Sequence, residues 1–372
     1  MSRARTFADL ATASESNSLS NRNMLHNGNF AVHQKGGTIT CAANSSTGTT
    51  LDRWEVDRAA TDNISVEITQ SDDVPAELGE GFSLKHQTKT VESALATNEI
   101  QRIIQYIEAQ DCQRLGYGTS SPKRTTVSFY VKSSIAGTFS FQIYQDDGAD
   151  IIGSTYTINS ADTWERKTIT FPGNTLATIA NDIGIGLYMQ WTVFAGSDYT
   201  GGDNTTWKSY ATNLLAHGHS QNGHATTDES TFQLAGCQFE LGDVATPFEH
   251  IDFADNLAKC QRYYYVLANG TSQPMGTGSW YGSTEIDWFA KTPVTMRATP
   301  SLEVEAGTNY YRSIGSNTYD DFNGVALASD KSVEGVYLYA TNAGHGASGT
   351  QGDASIVTTN NASAKVALSA EL

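Results

Sequence analysis

Only four cysteines occur in the 372 residues, and Cys41, Cys112, Cys237 and Cys260 lie far apart with no Cys-x-x-Cys pair among them. That spacing argues against a zinc ribbon and a dense disulfide framework. It predicts free, mostly buried thiols and assembly in a reducing cytoplasm. Positive charge is short as well: 23 Lys and Arg against 40 Asp and Glu leave a net charge of −17. A surface of that sign repels phosphate backbones and anionic lipid, which argues against nucleic acid or a membrane as the main partner. Neutral glycans, or acidic glycans bridged by divalent cations, suit it better, and the same charge keeps a secreted or particle-bound protein soluble. No run approaches the roughly 18 apolar residues of a membrane span. The opening MSRARTFADLATASESNSLSNRN carries arginines without an apolar stretch, so it does not read as a signal peptide, and release by lysis is the expected route outward. Also missing are P-loop, HExxH and GxSxG patterns, so phosphate transfer, zincin proteolysis and serine hydrolysis have no local support. GHGASG at 344–349 matches GxGxxG formally, but no helix follows to face a pyrophosphate, and it reads as a loop.

What is present is Thr, Ser, Gly and Asn in excess over Leu, the mixture of many short strands joined by turns. Period-2 patterning recurs from residue 23 to about 250. In TVSFYVKS, Val127, Phe129 and Val131 share a face; in TFSFQIYQ, Phe139, Phe141 and Ile143 do; in IGLYMQWTV, Ile185, Leu187, Met189, Trp191 and Val193 do. Strands apolar on one side predict two sheets packed face to face. In FQLAGCQFEL the apolar phase slips from Phe232 and Leu234 to Cys237, Phe239 and Leu241, which predicts a bulge at Ala235 and Gly236. Ile100, Ile103, Ile104 and Ile107 fit a helix as well as a strand, and the β-rich surroundings favour the strand.

The expected architecture is therefore all-β in three parts. Residues 1–22 form an arm that orders only against a partner, with a short helix near 6–12. Residues 23–250 form a β-sandwich. Residues 251–372 begin with a short helical connector and continue as a smaller β-sandwich, whose strand faces are marked by Ile286 and Trp288, Leu302 and Val304, and Val336 and Leu338. The closing ASAKVALSAEL puts Val366, Leu368, Ala370 and Leu372 on one face of a final strand.

Several segments together resemble a module of tailed-bacteriophage virion proteins. NRNMLHNGNFAVHQKG at 21–36 resembles its first strand and turn, and LDRWEV at 51–56 its Asp-Arg-Trp strand. SFYVKSS at 128–134 and the strand over 163–171 resemble its middle. The most specific likeness is at 234–265, with QFELGDVATPFEH and LAKCQRYYY, which resembles its last strand and the link to a following domain. SRARTFADL at 2–10 resembles short arms that precede such modules, whereas KTPVTMRATPSL at 291–302 matches only loosely. The resemblance implies a carbohydrate-binding-module-like jelly roll in a non-enzymatic tail-fibre protein, homotrimeric, on a virion assembled in the host cytoplasm. It also implies that residues 1–22 dock on other virion proteins and that the chain attaches the particle to cell-surface glycan. A purely structural baseplate or capsid appendage is the alternative, and a glycan-degrading tailspike-like enzyme the second. Asp52, Arg53, Trp54, Glu240, Pro247, Phe248, Arg262 and Tyr263 carry the module's structural motifs, with Trp54 expected in the core and Arg53 paired locally.

Candidate ligand contacts are aromatics in polar loops: Tyr199, Trp207 and Tyr210 in GSDYTGGDNTTWKSY, then Trp280, Tyr281, Tyr310 and Tyr311. Aromatic faces stack on the C–H faces of sugars while neighbouring Asn and Asp bond the hydroxyls, and they serve equally as anchors between subunits. In AHGHSQNGHATT, His217 and His219 form an HxH pair near His224 that could ligate a transition metal at a three-fold axis; an exposed loop of freely titrating histidines is the favoured reading. No cofactor is expected, although Asp/Asn/Gly turns offer hard oxygen donors to a structural calcium. Asp146 with Asp147 and Asp320 with Asp321 are read as turn residues rather than as a glycosidase pair.

Overall fold

A computed structural model describes residues 20–43, 47–60, 63–79, 81–315 and 318–372. Most of the expected arm at 1–22, with its helix near 6–12, lies outside the described residues. The chain divides between Asn256 and Leu257 into two compact units.

The strands of the first unit are β1 (Ile39–Cys41), β2 (Thr47–Thr49), β3 (Glu55–Ala59), β4 (Ser65–Ser71), β5 (Ser83–Thr90), β6 (Ile100–Glu108) and β7 (Thr125–Ser133). They continue with β8 (Gly137–Gln145), β9 (Asp150–Ile158), β10 (Glu165–Phe171), β11 (Ile185–Ala195), β12 (Lys208–Ser209) and β13 (Thr231–Leu241). They make two antiparallel sheets, β1-β4-β5-β13-β7-β10 and β12-β9-β8-β11-β6-β3-β2. The ambiguous isoleucines thus lie on a strand, β6. The inward residues of both sheets meet in one core, and Trp191 is its hub. Its ring lies 4.8 Å from Phe141, 5.3 Å from Trp54 and 5.7 Å from Phe129, all four fully buried.

The phase slip in β13 is a bulge. Its register with β7 shifts between Ala235 and Gln238, and Gly236 takes φ +54°, so Leu234 and Cys237 both point inward. An alanine there meets only the tips of Leu78 and Tyr130 in space, leaving the left-handed backbone as the main penalty. Gly236→Ala should therefore cost about 1–2 kcal/mol, read as a lower urea midpoint at unchanged slope. No change in midpoint would contradict the bulge.

Two segments differ from expectation. Residues 21–36 form no strand. Asn27 and Phe30 are left-handed, and the Asn27 side chain takes up the local backbone, donating to Val32 O and Asp52 O and accepting from Val32 N–H. The loop is instead sewn to β13 by Met24 N–H to Phe239 O and Cys237 N–H to Gly28 O. Likewise 51–54 is a turn closed by Trp54 N–H to Leu51 O, and the strand starts only at Glu55.

The helix Phe253–Gln261 spans the division between the units. The second unit adds β14 (Tyr264–Asn269), β15 (Pro274–Gly282), β16 (Glu285–Lys291), β17 (Ser301–Glu305), β18 (Tyr311–Gly315), β19 (Thr318–Phe322), β20 (Ala326–Ser332), β21 (Gly335–Thr341), β22 (Ala354–Thr359) and β23 (Lys365–Ser369). A three-stranded sheet, β14-β23-β17, shares a core with a seven-stranded one, β19-β18-β22-β15-β16-β21-β20. Asp320 and Asp321 fall on β19 rather than in a turn. The reason is Arg312, opposite on β18, whose Nε and Nη2 grip the Asp321 carboxylate at 2.5 and 2.8 Å and so balance its charge within the ladder.

Candidate functional site

The second sheet of the first unit has an outer face that its own chain covers only in part. Residues 196–222 fold back over it, burying Leu214, Leu215 and Ala216 against Ile100, Ile151 and Ala195. Two of the candidate aromatics pin this cover rather than face solvent. Tyr199 is buried and its hydroxyl donates to Asn98 O at 2.8 Å. Trp207 is half-buried, donates Nε1–H to Pro172 O at 2.7 Å and packs edge-on against Tyr117. The length and polarity of GSDYTGGDNTTWKSY reflect a flap that must satisfy its own backbone, not a ring of ligand contacts.

What the flap leaves open is a groove of about 320 Å³ lined by Asp57, Arg102, Ile104, Tyr106, Tyr144, Asp146, Tyr188, Gln190, Tyr210 and Leu215. Its main feature is a row of tyrosines. Tyr106 on β6 and Tyr144 on β8 both pair in register with Tyr188 on β11, and Tyr210 follows β12 at the flap. Successive rings meet edge to face: Tyr106–Tyr188 at 4.9 Å, Tyr188–Tyr144 at 5.0 Å and Tyr144–Tyr210 at 5.6 Å. That geometry suits the ring quadrupoles and locks the row. Tyr210 is the most open, at 42% exposed.

Polar groups fix the borders. Tyr106 donates to Glu55 at 3.1 Å and Tyr188 to Asp146 at 3.0 Å. Arg102 is ion-paired with Asp57, opposite it on β3, and donates to Gln190 at 2.5 Å. Burial, then the nearby carboxylates, pushes the Tyr106 and Tyr188 phenols up, and burial followed by Asp146 does the same for Tyr144. The phenols therefore stay protonated and keep their O–H donors. The alternation that identified β8 and β11 also placed Tyr144 and Tyr188 outward, an aromatic in the polar phase of each. Tyr106 shares the outer face of β6 with Ile100 and Ile104 and carried no such signal. Among the candidates, only Tyr210 reaches this groove.

The other candidates scatter. Trp280 is 4% exposed and borders a separate pocket of the second unit, Tyr281 is 73% exposed, and Tyr310 is half-buried. Tyr311 is fully buried, its hydroxyl donating to Glu305 O and Lys365 O, so it ties the two sheets together and is not a surface contact. Trp54 is buried with Nε1–H donating to Asn27 O; Arg53 donates to Tyr106 O beneath the groove; Asp52 accepts from Gln34. Glu240 is buried and accepts from Gln238 and Thr246, Pro247 and Phe248 border that turn, and Arg262 and Tyr263 lend their carbonyls to Arg297 and Ala370.

The histidine loop differs most from the sequence reading. His219 and His224 are buried, not exposed, and lie against Phe139, while His86 lies 6.3 Å from His224. Burial lowers His219 to about 4 and His224 to about 3; His86 falls to about 3 through burial and the neighbouring Arg58. Apolar neighbours on both sides drew the rings in. The HxH pair is split: His219 contacts Gln221 O and His217 contacts Gly202 O. Among the described residues, no three His, Cys, Asp or Glu side chains converge as a metal site.

The sequence matches no family model and no curated protein. Solved structures overlap part of the chain. One is the enzymatically active domain of bacteriophage CBA120 tailspike protein 4, at 13% identity and TM-score 0.32 over 59% of this chain. This chain spans 21% of that protein's length. A second is the family 11 carbohydrate-binding module of a Clostridium thermocellum cellulosomal cellulase, at 13% identity and TM-score 0.28, covering 56% of this chain and 97% of the module. A third is TmCBM61 in complex with β-1,4-galactotriose, at 10% identity and TM-score 0.25, covering 60% of this chain and all of that one. Both units are all-β on their own strand order and register, independently of these overlaps.

Proposed function

We propose that this chain is a non-catalytic glycan-binding subunit of a bacteriophage particle, a tail fibre or related attachment protein that holds host-surface polysaccharide in the tyrosine groove. The observation that carries the binding role is the row Tyr106–Tyr188–Tyr144–Tyr210, with Asp57, Asp146 and Gln190 along its borders. Rigid aromatic surface stacks on pyranose C–H faces, and acceptors at the margin orient hydroxyls. The carboxylates there are already engaged, Asp57 by Arg102, Glu55 by Tyr106 and Asp146 by Tyr188, which favours holding a neutral chain over cleaving one. The phage setting, the homotrimer and the docking of residues 1–22 on the virion rest on the family resemblance. Trimeric display would multiply weak single-site affinity.

Affinity electrophoresis of the full chain in host polysaccharides tests the groove. Tyr188→Ala should weaken retardation at least about tenfold, the equivalent of about 1.4 kcal/mol. Tyr188→Phe, which keeps the ring and loses only the bond to Asp146, should stay near wild type. Equal retardation of wild type and Tyr188→Ala, with both folded, would move recognition elsewhere. Release of reducing ends by the wild type would overturn the non-catalytic reading.

A further inference from the structure

The floor of the tyrosine groove does not end where the flap begins. Phe141 and Ile143 point into the core, so Ser140, Gln142 and Tyr144 on β8 point outward. Ile104 on β6 and Gln190 on β11 line the groove, and their row continues with Gln142 on β8 and Gly153 on β9, each opposite the last. Those two further strands add about 10 Å of floor. Asn204 of the flap stands on it: a Cβ on Gly153 would fall 2.7 Å from the Asn204 amide nitrogen and 3.0 Å from Gln142 Cγ. This seam is polar and incompletely bonded. Gln142, Asn204 and Ser140 are each fully buried, yet Gln142 Nε2, Asn204 Oδ1 and Ser140 Oγ have no hydrogen-bond partner among the described residues. Closing such groups off dry is costly. One is a donor, one an acceptor and one a hydroxyl, a set that the hydroxyls of a ligand complete.

The loop over the seam is tied down lightly. Gly202 N–H to Asn213 O closes its base at 2.9 Å, and the apolar packing of Leu214, Leu215 and Ala216 anchors that base. Beyond it the loop is held chiefly by Gly153 N–H to Asn204 O, Tyr210 N–H to Ala149 O, the Trp207 indole and the two-residue pairing of β12 with β9. We propose that the tyrosine groove is the open half of a longer saccharide cleft, whose closed half lies under residues 203–210. This loop lifts from its anchored base and closes again over the further sugar residues, with Gln142 meeting their hydroxyls from the floor and Asn204 from above. The inference rests on the glycan-binding reading of the groove.

The first test needs no ligand. In hydrogen exchange of the full chain, the Gly153 and Tyr210 amides, bonded across the seam, should exchange at least about 100-fold faster than those within β8 and β11. Equal protection would mean a permanently shut seam and overturn the proposal. The second test locks the loop. In Gly153→Cys with Asn204→Cys, the new side chains meet where the Asn204 amide now stands, and the four native cysteines are buried away from oxidant. Oxidised and reduced forms of this one protein are titrated with neutral gluco-, galacto- and manno-oligosaccharides, graded from disaccharide to octasaccharide. Affinity should level off with length in the oxidised form and keep rising in the reduced form, to at least about a tenfold difference for the octasaccharide. Gln142→Ala should erase that gain. The same length dependence in both redox forms, or a gain that survives Gln142→Ala, would overturn the proposal while leaving the groove intact. No binding of any length by the wild type, or binding indifferent to Tyr188→Ala, would instead overturn the groove reading and this inference with it.

Discussion

Trp191→Ala should destabilise the first unit by about 3–5 kcal/mol, the range for emptying a large aromatic from a closed core. Trp191 is fully buried and touches Trp54, Phe129 and Phe141, so its removal leaves a cavity walled by rings that cannot readily collapse. The same strand presents Tyr188 and Gln190 outward into the groove, so the hole lies directly beneath the tyrosine row. Loss of near-UV circular dichroism and loss of polysaccharide retardation should therefore occur together. Trp191→Phe should be much milder: it keeps an aromatic and also removes an indole N–H that has no hydrogen-bond partner among the described residues. Calorimetry of the three proteins decides the point. An alanine variant that melts with the wild type would mean that Trp191 is not the hub.

The sandwich was legible because one-sided burial writes period 2 into a strand. Phe129, Phe141 and Trp191 are inward as the alternation required, and the β13 slip is a bulge at Gly236. Residues 21–36 and 51–54 were read as strand through the family resemblance, whereas here they are a loop sewn onto a sheet and a turn. Asn27 and Arg53 in left-handed conformations end the ladder there, and sequence gives no sign of that. The groove was half legible. Tyr144 and Tyr188 stand in the polar phase of strands already recognised, but only register shows that Tyr106, Tyr144 and Tyr188 are neighbours. Tyr199 and Trp207 were misjudged for the opposite reason, since a polar segment can still fold back and bury its aromatics.

Acid should unfold the first unit well above the usual carboxylate range. His86, His219 and His224 are neutral in the fold, held near 3, 4 and 3 by burial, whereas unfolded histidine titrates near about 6.5. Their folded values are depressed, so the unfolded chain binds more protons below about pH 6.5. Stability is whole above that pH and is lost as pH falls toward the folded values. Each histidine contributes a slope of at most about 1.4 kcal/mol per pH unit, so the three together reach about 4. Glu165 acts in a different window. Lysine, amide and backbone donors overcome the cost of burying it and hold it to about 2, so its contribution is lost only below its ordinary 4.5. Between about pH 6.5 and 4.5 the histidines are thus the main source of slope. Urea midpoints followed by near-UV circular dichroism should fall steeply across that interval. His224→Gln, which removes one titrating ring beside Ser133 and His86, should remove about a third of the slope even if it lowers stability at pH 7. A midpoint flat from about pH 6.5 to 4.5 would show that these rings are reached by solvent or already protonated. A steep fall would show that these rings stay neutral and dry against Phe139 and Phe232 in the folded core.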